Sequence, residues 1–112
     1  MTSISVSEYR NHCSQLLRDA IRCPGMYFRS LEELQAILSG HAIAYEELGI
    51  IDRNQSFERC FVEWLRTTYE ASCSAGWAVA VEALSGGQSA NDTFARLTSE
   101  FLEKWEGIVQ AG

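Results

Sequence analysis

From Val6 to Ile108 the apolar side chains of this 112-residue chain recur at three- and four-residue steps. No run alternates apolar and polar residues for long enough to make a strand. That period belongs to amphipathic helices, which bury one stripe and leave the opposite face to water. An all-α fold is therefore expected, a bundle of four to five helices spanning residues 1–112 as a single domain. A chain of this length can bury a core without disulfides or metals to staple it.

The residues between the stripes mark where helices begin and end. Val6, Tyr9, Cys13, Leu16, Leu17 and Ala20 form the first stripe, and Ser5 with Glu8 is spaced as a capping box at its start. Pro24, the only proline, ends it together with Gly25. Ser30 and Glu33 repeat the box ahead of Leu31, Leu34, Ile37, Leu38, Ala42, Tyr45 and Leu48, and Gly49 is placed to close that helix. Gly40 lies inside it at a cost of ~1 kcal/mol relative to alanine, which predicts close helix packing or a bend.

A third stripe, Phe57, Cys60, Phe61, Trp64, Leu65 and Tyr69, is heavily aromatic and predicts the central helix. After a break over residues 72–76, a shorter helix carries Trp77, Ala80, Val81 and Leu84. Ser85-Gly86-Gly87 is the clearest flexible break. The last helix is expected from Ser89 and Asp92, through Phe94, Leu97, Phe101, Trp105 and Ile108, to near Gly112. The aromatic core is expected to comprise Phe57, Phe61, Trp64, Trp77, Phe94, Phe101 and Trp105.

Charge narrows the range of partners. The net charge is −6, and it is unevenly spread. Residues 1–30 hold four arginines against two acids, whereas residues 31–112 hold five bases against thirteen acids. An acidic body argues against nucleic acid, because phosphate contacts need clustered Lys and Arg. No apolar run approaches the ~20 residues of a membrane span. Met1-Thr2-Ser3-Ile4-Ser5 has neither the basic nor the apolar region of a secretory signal, so a cytoplasmic location is expected. Cys13, Cys23, Cys60 and Cys73 are widely spaced and are expected to be free thiols.

Catalytic and metal-binding patterns are sparse. His12 and Cys13 are adjacent and point about 100° apart on a helix, and Glu46 lies five residues after His41 on another face. Neither pair suits a shared ion, and no H-E-x-x-H or EF-hand loop occurs. No G-x-S-x-G elbow is present. The expectation is a protein without catalytic activity, metal or cofactor.

Interaction sites are better represented. Met26-Tyr27-Phe28 places three apolar residues in a connection, so either the core or a partner must cover them. Glu46-Glu47 sits near the C-terminal end of its helix, where negative charge opposes the macrodipole, and hints at a functional acidic edge. Tyr27, Phe28, Glu46, Glu47 and Asp52 are therefore the candidate partner-binding residues. A second candidate is an anion site at the helix start near Ser74 and Trp77, served by Arg22 or Arg29, with Ser74 as a plain N-cap the simpler meaning.

The segments Pro24-Gly25-Met26-Tyr27-Phe28, Ser30-Leu31-Glu32-Glu33-Leu34 and Ser74-Ala75-Gly76-Trp77 resemble those of a family of small, mostly uncharacterised bacterial helical proteins. Those proteins share a P-G-M-Y-[FI] turn and a downstream S-A-G-W, and the resemblance spans residues 15–108. Cys23 stands where the family usually has Arg, with Arg22 one position away, and Arg29 where it has Gly. The resemblance implies a helical fold and no particular activity. In size, acidity and lack of catalytic equipment the chain is also similar to immunity proteins, which neutralise toxins of neighbouring cells. The expected function is thus non-enzymatic protein binding, in its sharpest form to a basic toxin. The alternatives are a small-ligand or anion-binding regulatory domain and a structural homodimer.

Overall fold

The Ser5 hydroxyl accepts the Glu8 N–H at 3.2 Å and starts helix α1, Val6–Arg22. Ser30 does the same for the Glu33 N–H at 3.1 Å and starts α3, Leu31–Glu47. The Glu33 carboxylate accepts from the Arg29 N–H, one residue before the cap. These side chains satisfy donors that a helix leaves without an internal partner. The computed structural model describes residues 5–111, apart from the side chains of Pro24 and residues 106–111. The Ile108 side chain, the expected helix end near Gly112 and the Met1–Ile4 segment lie outside that description.

Six α-helices, rather than four to five, occur among the described residues, and no strand does. The additional one is the single turn α2, Pro24–Tyr27. Proline's fixed φ suits a first helical position, and the Met26 N–H closes the turn onto the Cys23 carbonyl at 3.1 Å. A 3-10 turn at Arg53–Gln55 leads into α4, Phe57–Tyr69, followed by α5, Trp77–Ser85, and α6, Ala90–Ala111.

Helix α3 closes on Gly49. Gly49 has φ +74°, its N–H bonds to the Glu46 carbonyl, and the Ile50 N–H bonds back to the Tyr45 carbonyl. This is a Schellman closure, and glycine meets its left-handed requirement at little steric cost. The close packing expected at Gly40 is not found. A Cβ built there would meet nothing within 4 Å, and α3 runs through it unbroken. No neighbour approaches closely enough to require the missing side chain.

Helix α6 packs along α1 and α5, and α3 packs against α4 and α5. The expected aromatic core forms between them. Phe57 and Phe61 stack at 5.0 Å, Trp77 stacks on Phe94 at 5.2 Å, and Phe101 lies 5.3 Å from Phe61. All of the named core aromatics are buried except Trp64, which is half-buried at the edge. Tyr9 adds a ring that periodicity placed on the stripe without revealing its role. Fully buried, its hydroxyl oxygen accepts the Phe57 N–H at 2.9 Å, at the first residue of α4.

Helix α5 is also started from a distance. Its N-cap, Gly76, has φ +98° and offers no side chain, so the Gln35 carbonyl oxygen accepts the Ala78 N–H at 2.9 Å. A Cβ on Gly76 would lie 2.8 Å from the Gln35 amide. Gly76→Ala should therefore lower stability by ~1–3 kcal/mol, through strained backbone and a displaced cap. Gly40→Ala should raise it by ~0.5–1 kcal/mol, because the native conformation is helical and uncrowded. Urea unfolding midpoints of the two variants check both signs.

Candidate functional site

A groove of about 760 Å³ runs between α3 and α4. Ala42, Ile43 and Val62 supply its apolar lining, and Ile43 is 52% exposed. Glu46 and Glu47 come from the last turn of α3, Arg53 from the 3-10 turn, and Glu58 and Arg59 from the first turn of α4. Ser39 donates to a Glu58 carboxylate oxygen at 3.2 Å, joining the two walls. The Arg53 Nε lies 3.8 Å from the half-buried Glu46, with the arginine itself exposed, a long pair of small energetic weight. It does place positive charge beside the carboxylates that oppose the α3 dipole.

Of the partner-binding residues expected from sequence, the structure brings Glu46 and Glu47 to one groove, and neither Asp52, Tyr27 nor Phe28 lines it. Asp52 is exposed before the 3-10 turn, where its backbone N–H donates to the Gln55 side chain at 2.7 Å. The apolar turn divides. Met26 is 82% and Tyr27 40% exposed, whereas Phe28 is only 6% exposed. Phe28 belongs to the core and presents no surface for a partner, which corrects its assignment to the binding set. Glu58, Arg59, Arg53 and Ile43 are groove residues that sequence reasoning missed. Three of them start or precede α4, and only the folded chain sets them opposite Glu46.

The expected anion site does not assemble around Trp77. That ring is fully buried, against Phe57, Phe61 and Phe94, and cannot touch a ligand from solvent. The N-cap is Gly76 rather than Ser74, and Gln35 occupies the Ala78 N–H. Ser74 is exposed with its hydroxyl 3.4 Å from that of Ser72. Arg22 pairs with Asp19 at 2.7 Å, and Arg29 is exposed in the preceding turn.

Tyr9, His12, His41 and Tyr45 form a second cluster between α1 and α3. The Nδ1 of His12 lies 2.8 Å from the Tyr45 hydroxyl. His41 stacks on Tyr9 at 5.6 Å and lies 5.1 Å from the Tyr45 ring. Partial burial, and then the nearby His12, hold His41 below its ordinary pKa of 6.5. Its spacings were visible, with Tyr45 four residues after His41 and His12 three after Tyr9, but their meeting depends on the docking of α1 on α3.

The described residues contain no group of three His, Cys, Asp or Glu side chains placed to hold a metal ion. None of the described helices is long and apolar enough to cross a membrane. Cys13, Cys23, Cys60 and Cys73 are free thiols. No family model, curated protein or solved structure matches the chain.

The His41 environment fixes the direction of one pH effect. Its native pKa lies below the unfolded value, so near and below about pH 6.5 the unfolded chain binds the extra proton. Its contribution is fully present above that value and is lost as pH falls. Unfolding free energy should therefore decline between about pH 7 and 5, and His41→Gln should flatten that decline. Urea titrations at each pH check it, and an unchanged slope in the variant would contradict the assignment.

Proposed function

We propose that this protein is a non-enzymatic protein-binding domain that uses the α3–α4 groove. The observation that carries this reading is the half-exposed Ile43 beside Ala42 and Val62, bordered by Glu46, Glu47 and Glu58. An apolar strip with a charged rim has the organisation of a protein interface, where central apolar contacts hold the complex and the rim speeds encounter. Leu48, 73% exposed beside the Gly49 turn, lies next in sequence to the Glu46-Glu47 pair. With a net charge of −6, the partner chemistry this favours is a basic surface carrying an apolar side chain.

The sharpest version is neutralisation of a basic toxin enzyme in a bacterial cytoplasm, by occupation of the toxin's positively charged cleft. The small size, the acidity and the free thiols support it. Tyr27, 40% exposed and outside the groove, serves as an accessory apolar contact.

Affinity capture of the tagged protein, followed by kinetics on the purified partner, tests this reading. The expected partner is basic, and at low salt Glu46→Lys with Glu47→Lys should slow its association by about tenfold or more. Ile43→Ala should chiefly speed dissociation. A partner bound equally well by the charge-reversed protein at low salt would rule the groove out.

A further inference from the structure

Helix α3 is apolar on its outer face as well as on the face it buries. Leu31, Leu34, Leu38 and Ala42 point into the core. At about 100° per residue, Ala36, Gly40 and Ala44 fall on the opposite side, and all three are exposed. Ile37, 41% exposed, and Leu48, 73%, flank this row on one side, and Ile43, 52%, flanks it on the other. The small residues thus form the floor of a shallow trough with aliphatic walls.

A helix that is apolar all round is ordinarily buried, and a surface helix keeps a polar outer face. The neighbours of α3 follow that rule. Helix α1 turns Asn11, Gln15 and Arg18 to water, and α4 turns Glu63, Arg66 and Thr67. Gly40 adds a second departure. Glycine is the poorest helix former after proline, and nothing within the chain requires it, since a Cβ there would meet nothing within 4 Å. A missing side chain at an exposed helical position permits close approach of a backbone from outside.

Charge selects the occupant. Helix α3 carries four glutamates and no lysine or arginine. Glu33 and Glu47 share the outer face, one at each end of the trough and about 21 Å apart by the helical rise. Glu47 has no ion pair among the described residues and sits at the negative end of the helix dipole. A second copy of this chain is disfavoured in either orientation. Antiparallel pairing sets Glu33 against Glu47 of the copy, and parallel pairing sets each glutamate against its own counterpart. A helix with positive charge at both ends meets the same two carboxylates favourably.

We propose that the outer face of α3 docks an amphipathic helix of a partner protein, with an aliphatic side chain seated over Gly40 and Lys or Arg at both ends. A floor of small residues brings two helix axes to the short end of the usual 8–10 Å, roughly, and aliphatic anchors at helical spacing fill such a trough. The inference rests on the reading of this protein as a protein-binding domain and adds a face to it. Ala36, Ile37, Gly40 and Ala44 lie outside the α3–α4 groove, whereas Ile43 borders both.

The test uses the isotope-labelled full chain and a hydrocarbon-stapled helix of about 18 residues. The staple lies on the face away from contact and removes the entropic cost of ordering a free peptide. Leucine stands at the middle of the contact face with alanine around it, and lysine occupies the first and last turns. Amide signals of Ala36, Ile37, Gly40 and Ala44 should shift saturably in proton–nitrogen correlation spectra, with little change at Arg59 and Val62 across the groove. The same helix with glutamate in place of lysine should bind at least about tenfold more weakly at low salt. Gly40→Leu should weaken the lysine helix by at least about tenfold without lowering the urea unfolding midpoint, because the added side chain fills the trough and not the core.

No saturable shift up to about 1 mM, equal binding of the two helices, or full affinity in the Gly40→Leu protein would overturn the proposal. Saturable shifts confined to Arg59 and Val62 would also overturn it, while leaving the groove reading in place. A concentration-dependent mass of the protein alone, lost in Gly40→Leu, would overturn it in favour of a second copy.

Discussion

A single buried hydrogen bond, from the Phe57 N–H to the Tyr9 hydroxyl, joins the first helix to the start of the fourth. An N–H at the first position of a helix has no intrahelical acceptor, and here it is also shut off from water. Tyr9 satisfies it from 48 residues away. Burial keeps both Tyr9 and the neighbouring Cys13 neutral, pushing the Cys13 thiol up to about 12. The Tyr9 ring also meets His41, Tyr45 and Trp105, so one side chain touches α1, α3, α4 and α6. Loss of the hydroxyl alone would leave a buried donor unmet.

The position of α4 matters because that helix is a wall shared by two cavities. Glu58, Arg59 and Val62 line the groove shared with α3, and Cys60 and Trp64 line the slot shared with α1 and α6. Phe57, Phe61 and Leu65 hold the helix to the core between them. Two surfaces, a charged groove and a largely aromatic slot, therefore depend on one anchored helix.

What the sequence disclosed and what it hid follow the range of the interactions. Ser5, Ser30, Ser89 and Gly49 act within four residues of themselves, so spacing alone identified the helix ends they make. The aromatic core was legible because its members repeat at helical steps. Gln35 capping α5 and Tyr9 capping α4 span 43 and 48 residues, and no local pattern marks a side chain for such a task. Ser74 was mistaken for the cap because a serine near a helix start is the commoner arrangement. In Met26-Tyr27-Phe28 the composition required partial burial, but only the α2 turn decides that Phe28 goes inward. The Glu46-Glu47 anomaly was visible, whereas Ile43, Glu58 and Arg59 around it are products of packing.

Amide hydrogen exchange on the wild type and on Tyr9→Phe tests the anchoring of α4 most directly. In the wild type the Phe57 amide should exchange as slowly as the Leu97 amide in the middle of α6, through global opening. In the variant Phe57 should lose about tenfold or more protection beyond any loss at Leu97, as expected for a buried donor stripped of its acceptor at a cost of ~1–3 kcal/mol. If Phe57 and Leu97 kept equal protection in the variant, α4 would be held by packing alone and the Tyr9 hydroxyl would not be its anchor.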